Sequence, residues 1–122
     1  MKKILIVEDN QILAENLTRI LASEFKIEAA RSATEAISKV DADLPDFIIL
    51  DILLDGHSGF SLLNELQTYG DTSVIPVIIC SNLANDLDKE SLKSYGVVYI
   101  FDKSKMNPRD ILELLRQFSD EK

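Results

Sequence analysis

The sequence has little of what disulfide-rich or membrane-spanning proteins need. Its 122 residues include a single cysteine, Cys80, so an internal disulfide is excluded. Its apolar runs are far shorter than the roughly 20 residues that cross a bilayer. No small-residue cleavage pattern follows Met1. These absences predict a cytoplasmic protein with no membrane segment. Because Cys80 lies in an apolar run, it is expected to be a buried structural thiol.

Basic residues are also scarce. Thirteen Lys and Arg stand against 21 Asp and Glu, which gives a formal net charge of −8. An acidic chain repels phosphate backbones, so direct binding of nucleic acid is not expected. The carboxylate surplus instead suits a cation site. With no linker, repeat or low-complexity stretch, we expect a single domain spanning residues 1–122, without an output domain.

Five short apolar runs alternate with five segments of helical periodicity. The alternation predicts an α/β fold with a parallel sheet and helices on both faces. The first, third and fourth runs are the most apolar and should be central, whereas the second alternates with polar residues and should be an edge. The expected architecture is therefore flavodoxin-like, (βα)5, with strand order 2-1-3-4-5. The predicted strands are residues 4–7, 26–30, 47–50, 77–80 and 97–101.

Capping residues predict where several helices begin and end. Asn10 is an N-cap for the first helix, and Ser32 with Glu35 forms a capping box for the second. The fourth helix is predicted over residues 85–95, with a thin apolar stripe that the core holds weakly. The glycines predicted to close the third and fourth helices are Gly70 and Gly96.

Polar residues follow the strands at the edge where open α/β folds carry their chemistry. Glu8 and Asp9 follow the first strand, Asp51 the third, Ser81 the fourth and Lys103 the fifth. Three carboxylates brought together need a counter-charge, and Mg²⁺ prefers carboxylate oxygens. Lys103 adds a fixed positive charge and Ser81 a hydrogen-bond donor. A carboxylate is also an adequate nucleophile toward phosphorus, so this edge is suited to phosphoryl transfer.

In these features the whole chain resembles the receiver domain of two-component response regulators. The resemblance implies that Asp51 is the phosphoryl acceptor and that Lys103 and Ser81 hold the phosphoryl group. It further implies that Asp9 binds Mg²⁺ directly, Glu8 largely through water, and Leu53 through its backbone carbonyl. The matching segments are residues 4–9, residues 45–51, Gly59, Ser81 and Lys103.

The resemblance also implies partners. The donor would be a phosphohistidine on a sensor histidine kinase or phosphotransfer protein. The output would be binding of a downstream protein target at the face formed by the fourth helix, fifth strand and fifth helix, with a phosphorylation-dependent homodimer as a further expectation. The chain would catalyse only its own phosphorylation and dephosphorylation, and so is not expected to be an enzyme.

The sequence departs from the family pattern at four places. Asp55 and Ser104 stand where prolines are usual, and Asn82 stands where a small residue is common. Ile100 stands where the family usually has a switch aromatic. The neighbouring Tyr99 and Phe101 should lie on the opposite side of the strand, because side chains alternate along it.

Two other functions stay open. One is a binding adaptor that keeps the fold but is not phosphorylated. The other is a Mg²⁺-dependent phosphatase of the haloacid-dehalogenase type, which carries a second acid two residues after its nucleophile, where this chain has Leu53. Plainer structural roles also compete: Asp51 as a turn cap, Ser81 as an N-cap, and His57 as an exposed loop residue.

Overall fold

The computed structural model describes residues 1–54 and 57–120, without the side chains of residues 53, 54, 57, 58 and 120. The expectations for Asp55 and for the exposure of His57 lie outside what is described. No helix in the described ranges is long and apolar enough to cross a membrane.

A five-stranded parallel sheet forms the centre of the molecule. Its strands are β1 (Lys3–Val7), β2 (Lys26–Ala30), β3 (Phe47–Leu50), β4 (Val77–Ser81) and β5 (Val97–Asp102). They are ordered β2-β1-β3-β4-β5, and every neighbouring pair is parallel. The predicted fold class and strand order are confirmed. A short antiparallel hairpin, Leu53–Leu54 paired with His57–Ser58, follows β3 and was not expected.

Five α-helices connect or follow the strands. They are α1 (Gln11–Leu21), α2 (Ala33–Ala42), α3 (Gly59–Thr68), α4 (Lys89–Lys93) and α5 (Pro108–Asp120). The predicted caps of the first two helices are confirmed: the Leu13 amide donates to Asn10 Oδ1 at 3.1 Å, and the Glu35 amide donates to Ser32 Oγ at 3.1 Å. The Glu35 carboxylate reaches back to the amide of Arg31, at 3.0 Å.

The fourth helix differs from its prediction. Residues 85–95 do not form one helix; a 3₁₀ turn (Ala84–Asp86) is followed by an extended Leu87, and α4 begins only afterwards. The cause is Asp88, whose carboxylate accepts hydrogen bonds from the amides of Glu90 and Ser91. That carboxylate starts a new helix and separates it from the turn before it.

The two glycines predicted as helix ends behave differently. Gly96 has a φ of 81°, the left-handed conformation that closes the α4 segment as predicted. The prediction for Gly70 is wrong, because α3 ends at Thr68 and Gly96 is the one described residue with a left-handed φ.

The sheet separates two apolar cores. One packs α2, α3 and α4 against one face, and the other packs α1 and α5 against the opposite face. The central strands β1, β3 and β4 are buried throughout, whereas β2 and β5 are partly exposed, as expected for edges. Ile100 packs in the first core and Phe101 in the second, which confirms that they lie on opposite sides of β5. Cys80 is buried in the second core.

Candidate functional site

The strand ends bring the predicted polar side chains to one edge of the sheet. Glu8 directly follows β1, Asp51 directly follows β3, Ser81 is the last residue of β4, and Lys103 directly follows β5. Parallel strands in this order place all four residues at the carboxyl edge. Glu8, Asp51 and Ser81 are only 4 %, 6 % and 0 % exposed, so their polar groups need partners other than bulk water.

Lys103 is shared by two buried carboxylates. Its Nζ atom lies 2.8 Å from Oε1 of Glu8 and 2.8 Å from Oδ2 of Asp51. Burial acts to lower the pKa of Lys103, but the bonds to Asp51 and Glu8 outweigh it and raise the pKa above its ordinary value. The ammonium is therefore a permanent charge at neutral pH.

Glu8 is fixed at both of its oxygens. Oε1 contacts Lys103, and Oε2 accepts a hydrogen bond from the amide of Asn10 at 3.0 Å. Burial raises the pKa of Glu8, and the charge of Asp51 acts in the same direction. The contacts with Lys103 and Asn10 lower that pKa without cancelling the shift. Ionised Glu8 thus gains from any additional positive charge at the site.

Glu8, Asp9 and Asp51 together form an acidic cluster. One carboxylate oxygen from each lies within 4.8 Å of the other two, and Asp9 is half-buried, so the cluster is accessible on that side. Three ionised carboxylates and the Lys103 ammonium together carry a net charge of −2, which a divalent cation would balance. Oxygen donors are those that Mg²⁺ prefers, so this donor set fits the ion. The carbonyl of Leu53, in the hairpin after Asp51, stays a predicted ligand.

Ser81 ties the ends of β4 and β5 together. Its Oγ accepts a hydrogen bond from the amide of Leu83 at 3.1 Å, and its carbonyl accepts one from the amide of Lys103 at 3.0 Å. The first bond is the capping role considered for this serine. The second fixes the backbone from which the Lys103 side chain extends.

A short turn after β5 holds the Lys103 loop. The Oδ1 atom of Asp102 accepts hydrogen bonds from Ser104 Oγ at 2.7 Å and from the Ser104 amide at 3.0 Å. These bonds, the hydroxyl first, hold the pKa of Asp102 below its usual value. Sequence reasoning missed this role for Asp102, although an Asp two residues before a Ser is a recognised turn pattern.

Gly59 allows the loop after Asp51 to pack closely. A Cβ atom at this position would lie 2.8 Å from the carbonyl oxygen of Asp51 and 2.8 Å from the Cα of Ile52. The Gly59 amide also donates to the carbonyl of Ile52 at 2.6 Å. This contact needs the absence of a side chain, and it holds the backbone that follows Asp51.

Comparison with known families shows the family to which the chain belongs. Residues 4–116 match the family model described as response regulator receiver domain, so the chain belongs to that family. It is a receiver domain of two-component signalling, the class that the sequence resemblance predicted.

Relatives in two larger proteins carry a similar segment. The chain is 29 % identical over 116 residues to protein-glutamate methylesterase/protein-glutamine glutaminase 2 of Oleidesulfovibrio alaskensis, covering 91 % of this chain and 32 % of the relative. It is 32 % identical over 115 residues to the transcriptional regulatory protein YvrH of Bacillus subtilis, covering 93 % of this chain and 47 % of the relative. The chain thus spans from a third to about half the length of these relatives.

Solved structures agree on the fold. A CheY-like receiver domain protein from Methanospirillum hungatei is 26 % identical, with a TM-score of 0.85, covering 99 % of this chain and 95 % of that one. The chemotaxis protein CheY4 of Vibrio cholerae has a TM-score of 0.85 at 21 % identity, covering 96 % of this chain and 98 % of that one. At this identity the likeness supports the fold alone.

Proposed function

We propose that Asp51 accepts a phosphoryl group from a phosphohistidine on a sensor histidine kinase or a phosphotransfer protein. The observation that carries this proposal is the sharing of the Lys103 ammonium between buried Glu8 and Asp51, inside an acidic cluster whose remaining charge matches a divalent cation. Family membership supports the same reading.

The proposed transfer assigns one task to each side chain. A carboxylate oxygen of Asp51 attacks phosphorus and forms the new P–O bond, while the P–N bond breaks and its electron pair stays on the imidazole nitrogen, which takes a proton. Lys103 pairs with a phosphoryl oxygen, and the Ser81 hydroxyl turns from Leu83 to donate to another. Most of phosphoryl-transfer catalysis is such positioning and charge stabilisation.

Asp9 and Asp51, with the Leu53 carbonyl, would hold Mg²⁺, and Glu8 would contact it largely through water. When bound, the ion supplies positive charge that offsets the carboxylates and the phosphoryl oxygens. Glu8 also retains Lys103 through its own ion pair, so the ammonium stays in place when Asp51 carries the phosphoryl group.

The proposed output is protein binding at the face made by α4, β5 and α5. This face exposes Val98 and Tyr99, at 43 % and 47 %, and a groove of about 540 Å³ runs between β5 and α5. A downstream protein target or a second copy in a phosphorylation-dependent homodimer would bind there.

The chemistry is proposed to be limited to the phosphorylation and dephosphorylation of the chain itself. The match to the methylesterase relative covers only 32 % of that protein, so its named activity is not transferred to this chain. Residues 1–122 are proposed to act as one receiver unit in the cytoplasm.

Intact mass after incubation with acetyl phosphate tests the proposal. We expect a Mg²⁺-dependent gain of one phosphoryl group in the wild type and in the exposed-acid control Asp86→Asn, and none in Asp51→Asn. No gain in a folded wild-type protein would contradict phosphorylation and favour the adaptor. Turnover of a generic phosphate ester would instead favour the phosphatase.

A further inference from the structure

The amino edge of the sheet, opposite the phosphorylation site, carries a second concave surface. A groove of about 510 Å³ lies at this edge. One side is formed by the end of α2 and the segment before β3, and the other side by the turn after α3. We call it the amino-edge groove. Its lining includes Asp41, Asp43, Leu44, Tyr69, Asp71 and Thr72.

The amino-edge groove is negatively charged. Three of its lining residues are aspartates, and neither lysine nor arginine lines it. Asp43 pairs with Lys3, whose Nζ lies 3.1 Å from its Oδ2, but the side chains of Asp41 and Asp71 make no ion pair or hydrogen bond with the rest of the described chain. Helices α2 and α3 both end at this edge, and helix carboxyl ends carry partial negative charge. The groove therefore favours a cation.

The amino-edge groove also exposes apolar side chains, one of them on a turn that hydrogen bonds hold in place. Tyr69 is 58 % exposed and Leu44 is 45 % exposed. Buried Thr72 holds the turn, because its hydroxyl lies within hydrogen-bond distance of the carbonyls of Leu66 and Tyr69. The amide of Ser73 also donates to the Tyr69 carbonyl at 2.9 Å. An aromatic side chain on a fixed turn gives contact area at a low cost in conformational entropy.

We propose that the amino-edge groove docks a basic segment of a partner polypeptide. An arginine or lysine of that segment lies between Asp41 and Asp71, and an apolar side chain packs on Tyr69 and Leu44. A bare metal ion would gain nothing from the tyrosine and leucine. A nucleic acid would be repelled, and a second copy of this acidic chain would bring like charge.

Docking at the amino-edge groove is independent of phosphorylation. The four residues of β3 separate the groove from Asp51 by about 13 Å along the strand, at about 3.3 Å per residue. The groove and the acidic cluster have no residue in common. The segment therefore binds the phosphorylated and unphosphorylated chain alike, and this inference goes beyond the proposed function without depending on it.

A labelled model peptide tests the proposal. Fluorescein-labelled acetyl-RLRLRL-amide is titrated by anisotropy into the wild type, Asp41→Asn/Asp71→Asn and Tyr69→Ala. The matched control is Glu65→Gln/Asp86→Asn, which removes the same charge from exposed acids elsewhere. We expect the affinity to fall by about tenfold in the first pair and in Tyr69→Ala, and to change little in the control. Amide chemical shifts should change at residues 41–44 and 69–72.

Several outcomes would overturn the proposal: no binding by the wild type, equal weakening in the control pair, or shift changes centred on another face. A dimer of the unliganded chain that Tyr69→Ala dissolves would assign the groove to a second copy. Asp51→Asn should bind the peptide as the wild type does, and a loss there would contradict independence from the phosphorylation site. Thermal melts confirm that each variant is folded.

Discussion

The Nζ atom of Lys103 lies 2.8 Å from Oδ2 of Asp51, although 52 positions separate the two residues in the chain. The contact joins the ends of β3 and β5, two strands that are not neighbours in the sheet. Since β4 lies between them, the long lysine side chain has to cross the end of that strand, where Ser81 is located. The geometry of all three strand ends therefore sets the environment of the proposed acceptor.

Glu8→Gln should change the pH dependence of stability. The folded-state pKa of Glu8 is raised above its ordinary 4.5, so the protonated form favours the folded state. That contribution is fully present below pH 4.5 and is lost as the pH rises through the raised pKa. In metal-free buffer, Glu8→Gln should be more stable than the wild type at neutral pH, and the difference should shrink toward pH 4.5.

Urea unfolding at a series of pH values measures this difference. Glu15→Gln, an exposed glutamate on α1, is the matched control and should follow the wild-type curve. A constant offset between Glu8→Gln and the wild type at every pH would show that lost packing, and not ionisation, causes the change.

Asp9→Asn should weaken stabilisation by Mg²⁺. A ligand at 100 times its Kd stabilises the folded state by about 2.7 kcal/mol, and a tenfold loss of affinity reduces this to about 1.4 kcal/mol. Asp9 is only half-buried and belongs to neither apolar core, so its substitution should disturb the metal-free fold little. The measurement is unfolding free energy against Mg²⁺ concentration, with Asp86→Asn as the control. Equal Mg²⁺ responses in both variants would remove Asp9 from the metal site.

Ser104→Ala should slow phosphorylation. It removes the 2.7 Å bond between Ser104 Oγ and Asp102, which helps to fix the loop that carries Lys103. A small displacement of the ammonium should reduce the rate with acetyl phosphate by about threefold to tenfold. Ser104→Thr keeps the hydroxyl and should retain most of the rate. If alanine and threonine behave alike, the Asp102–Ser104 turn does not position Lys103.

Gly59→Ala should destabilise the protein, and Gly70→Ala should not. The added Cβ at Gly59 meets backbone atoms of Asp51 and Ile52 at 2.8 Å, and such overpacking costs about 1–3 kcal/mol. At Gly70 nothing lies within 4 Å and φ is not left-handed, so alanine there should stabilise by about 0.4–1 kcal/mol. Unfolding free energies of the two variants give the comparison. Similar values for both would mean that the loop after Asp51 relaxes freely.

Hydrophobic patterning was sufficient to predict the sheet. The runs at β1, β3 and β4 are apolar without interruption, so their central position and the carboxyl-edge placement of Glu8, Asp51 and Ser81 followed from the sequence. The caps at Asn10 and Ser32 were equally accessible, since each depends on contacts only a few residues apart.

Hydrophobic patterning does not reveal side-chain hydrogen bonds that compete with a helix, or contacts between residues far apart in the chain. The break before α4 reflects Asp88, whose carboxylate accepts hydrogen bonds from two amides and so competes with a continuous helix. The ion pair between Glu8 and Lys103 joins residues 95 positions apart, and the sequence alone could not show that this lysine would be shared with Asp51.

The buried thiol has a practical consequence. Burial raises the pKa of Cys80 to about 12, with the charge of Glu8 adding to the effect, and the side chain is 2 % exposed. The thiolate is the nucleophile that attacks thiol reagents, so they should leave this sulfur unmodified while the protein is folded. A cysteine introduced on the surface would then be the single reactive position. Fluorescent or spin probes could be attached there without first removing the native residue.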